Sequence, residues 1–228
     1  DRGFAVAIDG REIDRCSRQS RVVPMLKASL LQLALRRCDG FGAFHAAAIG
    51  DGEGCILMPG ASGSGKSTMA AALVAAGFEF LGDDTVVLDG AELSARAVTF
   101  AICLKAGAWD LLAGRFAALA HQPIHDRADG KQVRYLPLPQ ACCVAGDVQR
   151  PVHAIVFRDR TAPGTAALTR LPAIEALRRL LIGFVPLGTG LDGRKIDRLL
   201  HWIANVDCFQ LQAATLEDGV AALRRLRP

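Results

Sequence analysis

One eight-residue segment constrains the fold of this 228-residue chain more than any other part of it. The segment has the Walker A pattern GxxxxGK[ST], in which a glycine-rich loop joins a strand to a helix. Apolar residues 55–58 precede the segment and an alanine-rich stretch follows it, as that arrangement requires. With the threonine that follows, it consists of Gly60, Ala61, Ser62, Gly63, Ser64, Gly65, Lys66, Ser67 and Thr68. A strand–loop–helix unit within a chain of mixed strands and helices, in which many strands come before the helices gather, predicts an α/β fold.

The residue types of this loop suit the binding of a nucleoside triphosphate. Glycines let backbone N–H groups turn inward around a phosphate without a Cβ collision, and the helix N-terminus adds partial positive charge there. We expect Lys66 to reach the β- and γ-phosphates and the Ser67 hydroxyl to bind Mg²⁺. An ordinary glycine turn before a helix is the alternative, which the match at every specified position disfavours.

Two adjacent carboxylates, Asp83 and Asp84, follow the next predicted strand. They lie 17 and 18 residues after Lys66, so one helix and a turn would bring their strand back beside the loop strand. One carboxylate would then hold Mg²⁺ and the other would accept a hydroxyl proton. We assign Asp83 to the metal and Asp84 to the base, although spacing alone also allows the reverse. A solvated Gly-Asp-Asp turn is the structural alternative.

Composition and charge restrict the other classes of function. Hydrophobic residues make up 51% and charged residues 22%, which allows an ordinary core and excludes a disordered chain. A net charge of +4 without a distinct basic face does not predict nucleic-acid binding. The seven cysteines include no CxxC pair, which favours a reducing, cytoplasmic compartment over a disulfide framework. The longest uncharged stretch, about twelve residues, is too short to span a membrane, so we expect neither a nucleic-acid nor a membrane partner.

The order of predicted elements suggests a small appendage before one larger domain. A hairpin and a helix occupy residues 1–40, and a domain with a mixed sheet and flanking helices occupies residues 41–228. In the larger domain, strands are predicted at 44–49, 55–58, 78–81, 85–88, 97–104, 132–136, 152–157, 168–171 and 208–211. Its predicted helices cover 65–76, 109–120 and 193–204, with two more beginning at 173 and 215.

Together with one histidine, the loop and the aspartate pair resemble a known family, the HPr serine kinase/phosphorylases. His45 lies in a predicted strand 21 residues before Lys66, and this spacing, the loop and the segment FLGDD agree with the family over residues 43–90. The resemblance implies a P-loop kinase core of the HPr kinase/phosphoenolpyruvate carboxykinase type. It also implies that ATP, with Mg²⁺, donates its γ-phosphoryl group to a serine of a protein or peptide. His45, Lys66 and Asp84 would lie at the catalytic centre. Taken alone, His45 is more typical of a core histidine.

Beyond residue 90 the similarity is to looser HPr-kinase-related proteins, through the segment LKAGAW at 104–109. Cys103-Leu104-Lys105 stands where the family signature has an acidic residue and an arginine, which favours the kinase reaction over phosphorolysis. Related stand-alone kinases phosphorylate precursor peptides of natural products, including lasso peptides, so the implied acceptors include such a peptide. Full-length HPr kinases are oligomers, whereas the smaller relatives need not be, so the resemblance leaves both a homo-oligomer and a monomer open.

Charge that develops on a transferred phosphoryl group calls for a cation beyond Lys66. The candidates are Lys105, by its place in the family signature, Arg134, which adjoins a predicted strand, and Arg194, which lies at a predicted helix start. A solvated surface role is the alternative for the two arginines. Two other functions stay open: a kinase for a small-molecule hydroxyl, and a nucleotide-sensing module that transfers nothing. Both aspartates are present, which favours an enzyme over the sensing module.

Overall fold

A computed structural model describes residues 3–146, 148–159, 166–188 and 190–226 of the chain. The chain divides into two compact units, one made of Asp1–Asp39 with Cys103–Leu136 and the other of Gly40–Ile102 with Pro137–Pro228. The domain boundary predicted near residue 40 stays a prediction. In the structure, the segment Cys103–Leu136 belongs with the N-terminal residues.

Short strands outnumber helices in both units. In chain order the strands are β1 (Phe4–Ile8), β2 (Arg11–Cys16), β3 (Gly42–Phe44), β4 (Ala46–Gly50), β5 (Cys55–Pro59), β6 (Glu79–Gly82), β7 (Val86–Asp89), β8 (Ser94–Arg96), β9 (Ile102–Lys105), β10 (His125–Asp126), β11 (Gln132–Leu136), β12 (Gln149–Arg150), β13 (Val152–Asp159), β14 (Ala167–Arg170), β15 (Phe184–Pro186) and β16 (Asp207–Gln212). The helices are α1 (Val22–Arg36), α2 (Lys66–Ala75), α3 (Trp109–Ala113), α4 (Ala173–Leu181), α5 (Gly193–Asn205) and α6 (Leu216–Arg224).

A mixed six-stranded sheet with the order β14-β16-β13-β5-β4-β6 carries the loop strand β5 at its centre. β13 pairs in parallel with both β5 and β16, whereas β4 runs antiparallel to both of its neighbours. The prediction that the strand before the aspartates lies directly beside the loop strand is therefore wrong, because β4 separates β6 from β5. Since β4 runs the opposite way, its first residue lies at the same sheet edge as the carboxyl ends of β5, β6 and β13.

Helices flank this sheet, as predicted. Leu57 of β5 and Ile155 of β13 lie in one buried cluster with Leu177 of α4 and Trp202 of α5. Because successive side chains of a strand point to opposite faces, Ile56 is directed away from that cluster. α2 packs against β4 and α6. A second, five-stranded sheet of the same unit has the order β12-β8-β7-β3-β15.

In the first unit, β1 and β2 form the predicted antiparallel hairpin. The turn passes through Asp9 and Gly10, both with positive φ. Ser20, just before α1, donates a hydrogen bond of 2.6 Å to the Asp126 carboxylate of β10. This bond links the N-terminal helix to the β10–β11 hairpin within the unit.

Three predicted elements are wrong in extent. The helix predicted over 109–120 ends at Ala113 and a 3₁₀ turn covers Ala117–His121, because Gly114 disfavours continuation of the helix. The strand predicted over 97–104 is interrupted: Val98 makes only an isolated bridge to Gly82, and β9 begins at Ile102. Likewise, the strand predicted over 44–49 is interrupted at His45, where the chain passes from β3 in one sheet to β4 in the other.

The last helix begins as its sequence predicts. Thr215 precedes α6, and its hydroxyl accepts a hydrogen bond from the Asp218 backbone N–H at 3.1 Å while donating one to the Asp218 carboxylate at 2.7 Å. Across the described residues, no helix combines the length and the apolar character that crossing a membrane requires.

Candidate phosphate-binding site

The loop between β5 and α2 has a backbone that glycine adopts more readily than any other residue. The φ angles are +154° at Gly60, +94° at Gly63 and +88° at Gly65, in a region where a Cβ is strained. A Cβ at Gly60 would also lie only 3.0 Å from Ser64 Oγ. The glycines thus permit the sharp turn that brings the N-terminus of α2 to the edge of the sheet.

The loop exposes its tip and buries its lysine. Ala61, Ser62 and Gly63 are open to solvent, and Thr68 is half-buried in the first turn of α2. The Ser64 hydroxyl is buried and has no hydrogen-bond partner within the part of the chain that the structure describes. A hydroxyl of this kind can donate to a phosphate oxygen, so the loop has a donor that fits the expected ligand.

Lys66 lies inside the loop, with only 5% of its surface exposed. Its Nζ donates hydrogen bonds to the carbonyl oxygens of Gly60 at 2.6 Å and Ala61 at 2.9 Å. These contacts hold an ammonium group where the loop backbone turns around its centre. The predicted phosphate lysine is therefore positioned by the loop itself.

His45 connects Lys66 to the aspartate pair. Its Nδ1 lies 2.8 Å from the backbone carbonyl oxygen of Asp84, and its Nε2 lies 3.3 Å from Lys66 Nζ. Because a carbonyl oxygen can only accept, Nδ1 is the protonated nitrogen, and in the neutral ring Nε2 accepts from the lysine. The His45 backbone N–H donates to the Gly183 carbonyl at 2.8 Å, which fixes the break between β3 and β4.

Asp83 and Ser67 form the second half of the site. Asp83 is 5% exposed, and its Oδ1 accepts a hydrogen bond of 2.9 Å from Ser67 Oγ. Oxygen donors of this type suit Mg²⁺, which takes one or two protein ligands and completes its coordination with phosphates and water. The described residues contain no group of three or more His, Cys, Asp or Glu that would hold a metal by themselves. The pair therefore fits the predicted magnesium site.

Asp84 has a strained backbone, with a φ of +72°. Left-handed conformations are uncommon outside glycine and are typical of turns and functional sites, although Asp tolerates them better than most residues. The carbonyl of Asp84 is the acceptor for His45, so the strained conformation is part of the same hydrogen-bonded group. The structure thus brings together His45, Lys66, Ser67, Asp83 and Asp84.

The three cations named from the sequence have other surroundings. Arg134 stacks on the Trp109 ring, 4.3 Å from its centroid, and donates to the Leu119 carbonyl, all within the first unit. Lys105 ends β9 in that unit. Arg194 is exposed in the first turn of α5. Their service as stabilisers of phosphoryl charge stays a prediction.

The sequence analysis missed one cation, Arg158. It lies near the carboxyl end of β13, and its Nη1 donates a hydrogen bond of 3.3 Å to the carbonyl oxygen of Gly65 in the loop. An arginine directly after the apolar run 154–157 was the available signal. Only the parallel pairing of β13 with β5 shows that this strand end faces the loop.

Among solved structures, the chain has a likeness to the Hpr(Ser) kinase/phosphatase from Coxiella burnetii, with 13% sequence identity and a TM-score of 0.40, over 81% of this chain and 96% of that chain. No protein-family model and no curated protein matches the chain. A TM-score of 0.40 does not establish a common fold. The family resemblance therefore remains the one in the sequence of residues 43–90.

Proposed function

We propose that the protein is an ATP- and Mg²⁺-dependent kinase that transfers the γ-phosphoryl group to a serine hydroxyl of a small protein or peptide. One observation carries the proposal: the hydrogen-bonded chain from Lys66 through His45 to Asp84, beside the Ser67–Asp83 pair. A cradle for phosphates alone needs the loop and the lysine. Two carboxylates at the same sheet edge add what phosphoryl transfer requires, a metal ligand and a base.

The loop and Lys66 bind the triphosphate in this proposal. Backbone N–H groups at the start of α2 and the Ser64 hydroxyl donate to phosphate oxygens, and the helix N-terminus favours negative charge. Lys66 exchanges its contacts with the Gly60 and Ala61 carbonyls for the β- and γ-phosphates. Ser67 and Asp83 would hold Mg²⁺, which would neutralise negative charge that develops on the phosphates during transfer.

Asp84 acts as the general base. Its carboxylate takes the proton of the serine hydroxyl while the serine oxygen forms a bond to the γ-phosphorus. The bond between that phosphorus and the bridging oxygen of ADP breaks, and Lys66 balances the negative charge left on ADP. Asp83 is the poorer choice of base, because one of its oxygens already accepts from Ser67.

His45 is a positioning residue. The imidazole lies between the Lys66 ammonium and the Asp84 backbone, and its own backbone is tied to Gly183. A change in the position of either neighbour therefore moves the other. This arrangement supports transfer geometry, because a displacement of about 1 Å in a reacting group lowers rates roughly 100-fold.

The test is a transfer assay with ATP and Mg²⁺ in which acceptors are varied. Serine-containing peptides, matched peptides with alanine in place of serine, and small alcohols are incubated with the protein and with Lys66→Met, and masses are measured. A gain of one phosphate on serine peptides alone, absent with Lys66→Met, is the expected result. Phosphorylation of alcohols only would indicate a small-molecule kinase. ATP binding without transfer to any acceptor would indicate a nucleotide-sensing module. A peptide of the lasso-precursor type is the first acceptor class to include.

A further inference from the structure

Arg158 occupies a defined place beside the loop. In the parallel pairing of β13 with β5, Ile155 is the partner of Leu57. Continuing that register by three residues brings Arg158 level with Gly60, the first residue of the loop. In α/β sheets, ligands bind outside the carboxyl ends of parallel strands, and β13 is the parallel neighbour of the loop strand.

The Gly65 carbonyl does not depend on its contact with Arg158 for a hydrogen bond. The Gly65 carbonyl oxygen accepts from Arg158 Nη1 at 3.3 Å, but it also accepts from the Met69 N–H at 3.0 Å as part of α2. If the guanidinium moves to another acceptor, the carbonyl keeps its helical hydrogen bond. Loss of this weak contact to a ligand would therefore leave the Gly65 carbonyl satisfied.

The chemistry of the loop calls for such a cation. Lys66 brings one positive charge to a triphosphate that carries several negative charges. Arginine stays protonated at all relevant pH values, and its planar fork can donate two hydrogen bonds to one phosphate group. Arg158 is half-buried, so a charge-assisted hydrogen bond there is screened less than one at an exposed site.

We infer that Arg158 is a second cation of the phosphate site and that it contacts the terminal phosphate of a bound nucleoside triphosphate. This inference rests on the proposed function, because it requires a nucleotide in the loop. It also distinguishes two roles that Arg158 could have beside the loop: support of the loop backbone and direct contact with a phosphate. A residue that only braces the loop affects every nucleotide equally, whereas a residue on the terminal phosphate affects the triphosphate and spares the diphosphate.

The experiment compares the Kd values of ATP and ADP, each with Mg²⁺, by calorimetry. Arg158→Ala should raise the Kd of ATP about 10- to 100-fold, as expected for a lost charge-assisted hydrogen bond. It should leave the ADP Kd within about threefold. Arg158→Lys keeps the positive charge but not the planar guanidinium, so its Kd for ATP should lie between those of the wild type and Arg158→Ala. Arg170→Ala is the matched control, because Arg170 is an exposed arginine on β14 of the same sheet, paired with Asp207, and should change neither Kd.

Equal weakening of ATP and ADP, or no change in either, would overturn the inference while leaving the proposed function in place. Wild-type protein that binds neither nucleotide would instead overturn the proposed function. Thermal unfolding without nucleotide shows whether each variant folds. Should Arg158→Ala not fold, Arg158→Gln provides the same ATP-to-ADP comparison with a longer, neutral side chain that can donate hydrogen bonds.

Discussion

Asp84 has a φ of +72°. Substitutions at this position can therefore test the effect of the backbone conformation on stability separately from the effect of the carboxylate on activity. A residue with a Cβ in the left-handed region is destabilised by roughly 1–2 kcal/mol, and glycine is not. The greater freedom of glycine in the unfolded chain offsets about 0.5–1 kcal/mol of that difference. Asp84→Gly should therefore be more stable than Asp84→Ala by about 1 kcal/mol, which is about 2–4 °C in Tm for a chain of this length.

The assay is thermal and urea unfolding of the two variants side by side. Both lack the carboxylate, so the difference in their free energies of unfolding reports the backbone alone. Both should also lose phosphoryl transfer while they retain nucleotide binding. If Asp84→Ala proves as stable as Asp84→Gly, the left-handed conformation, and with it the hydrogen bond from His45 to the Asp84 carbonyl, is refuted.

Three further predictions concern other parts of the chain. His45→Ala should lower the rate of transfer about 100-fold and change ATP affinity little, because the imidazole positions its neighbours; single-turnover kinetics measures this. Gly219→Ala should gain less stability than a helical Gly→Ala substitution normally brings, since a Cβ there would lie 2.4 Å from the end of the buried Met69 side chain, which must then shift; urea unfolding measures this. Burial raises the pKa of Cys55 to about 12 and that of Cys208 to about 11. Both thiols should resist alkylation at pH 9, as mass spectrometry of digests would show, and stability should fall as pH rises from about 9 toward 11, because only the unfolded thiols ionise there.

Controls make these outcomes specific. His45→Gln keeps a hydrogen-bonding side chain and should retain part of the lost rate; a rate equal to that of His45→Ala would contradict the positioning role. Gly193→Ala changes a helical glycine with open space around its Cα, so it should gain more stability than Gly219→Ala; an equal gain in both would contradict the close contact with Met69. Rapid alkylation of Cys55 in the folded protein would contradict its burial.

Sequence alone predicts local backbone structure well. The loop and α2 follow from glycine and lysine at fixed spacing, and the cap of α6 follows from Thr215 and Asp218, because each depends on neighbouring residues in the chain. The proximity of His45 to Lys66 is different in kind. The sequence around His45, taken alone, favours a core histidine. Only the spacing shared with the family indicated that His45 lies near Lys66.

The remaining features depend on strand order, which local patterns do not encode. β4 lies between β5 and β6. His45 lies where the chain passes from one sheet to the other, and its backbone N–H donates a hydrogen bond to Gly183, which is distant in the sequence. The pairing of β13 with β5 brings Arg158 beside the loop. The strand that was expected beside the loop still delivers Asp83 and Asp84 to the correct edge, because two antiparallel pairings restore the direction of β6.

The most direct measurement of the central claim compares wild type with Asp84→Asn in one experiment that records both ATP binding and phosphoryl transfer. Asparagine has nearly the shape of aspartate and tolerates the same left-handed backbone, but it cannot accept the serine proton. We predict an unchanged Kd for ATP with Mg²⁺ and a transfer rate that falls about 100- to 10,000-fold. Transfer at the wild-type rate in the variant would contradict the role of Asp84 and the mechanism built on it.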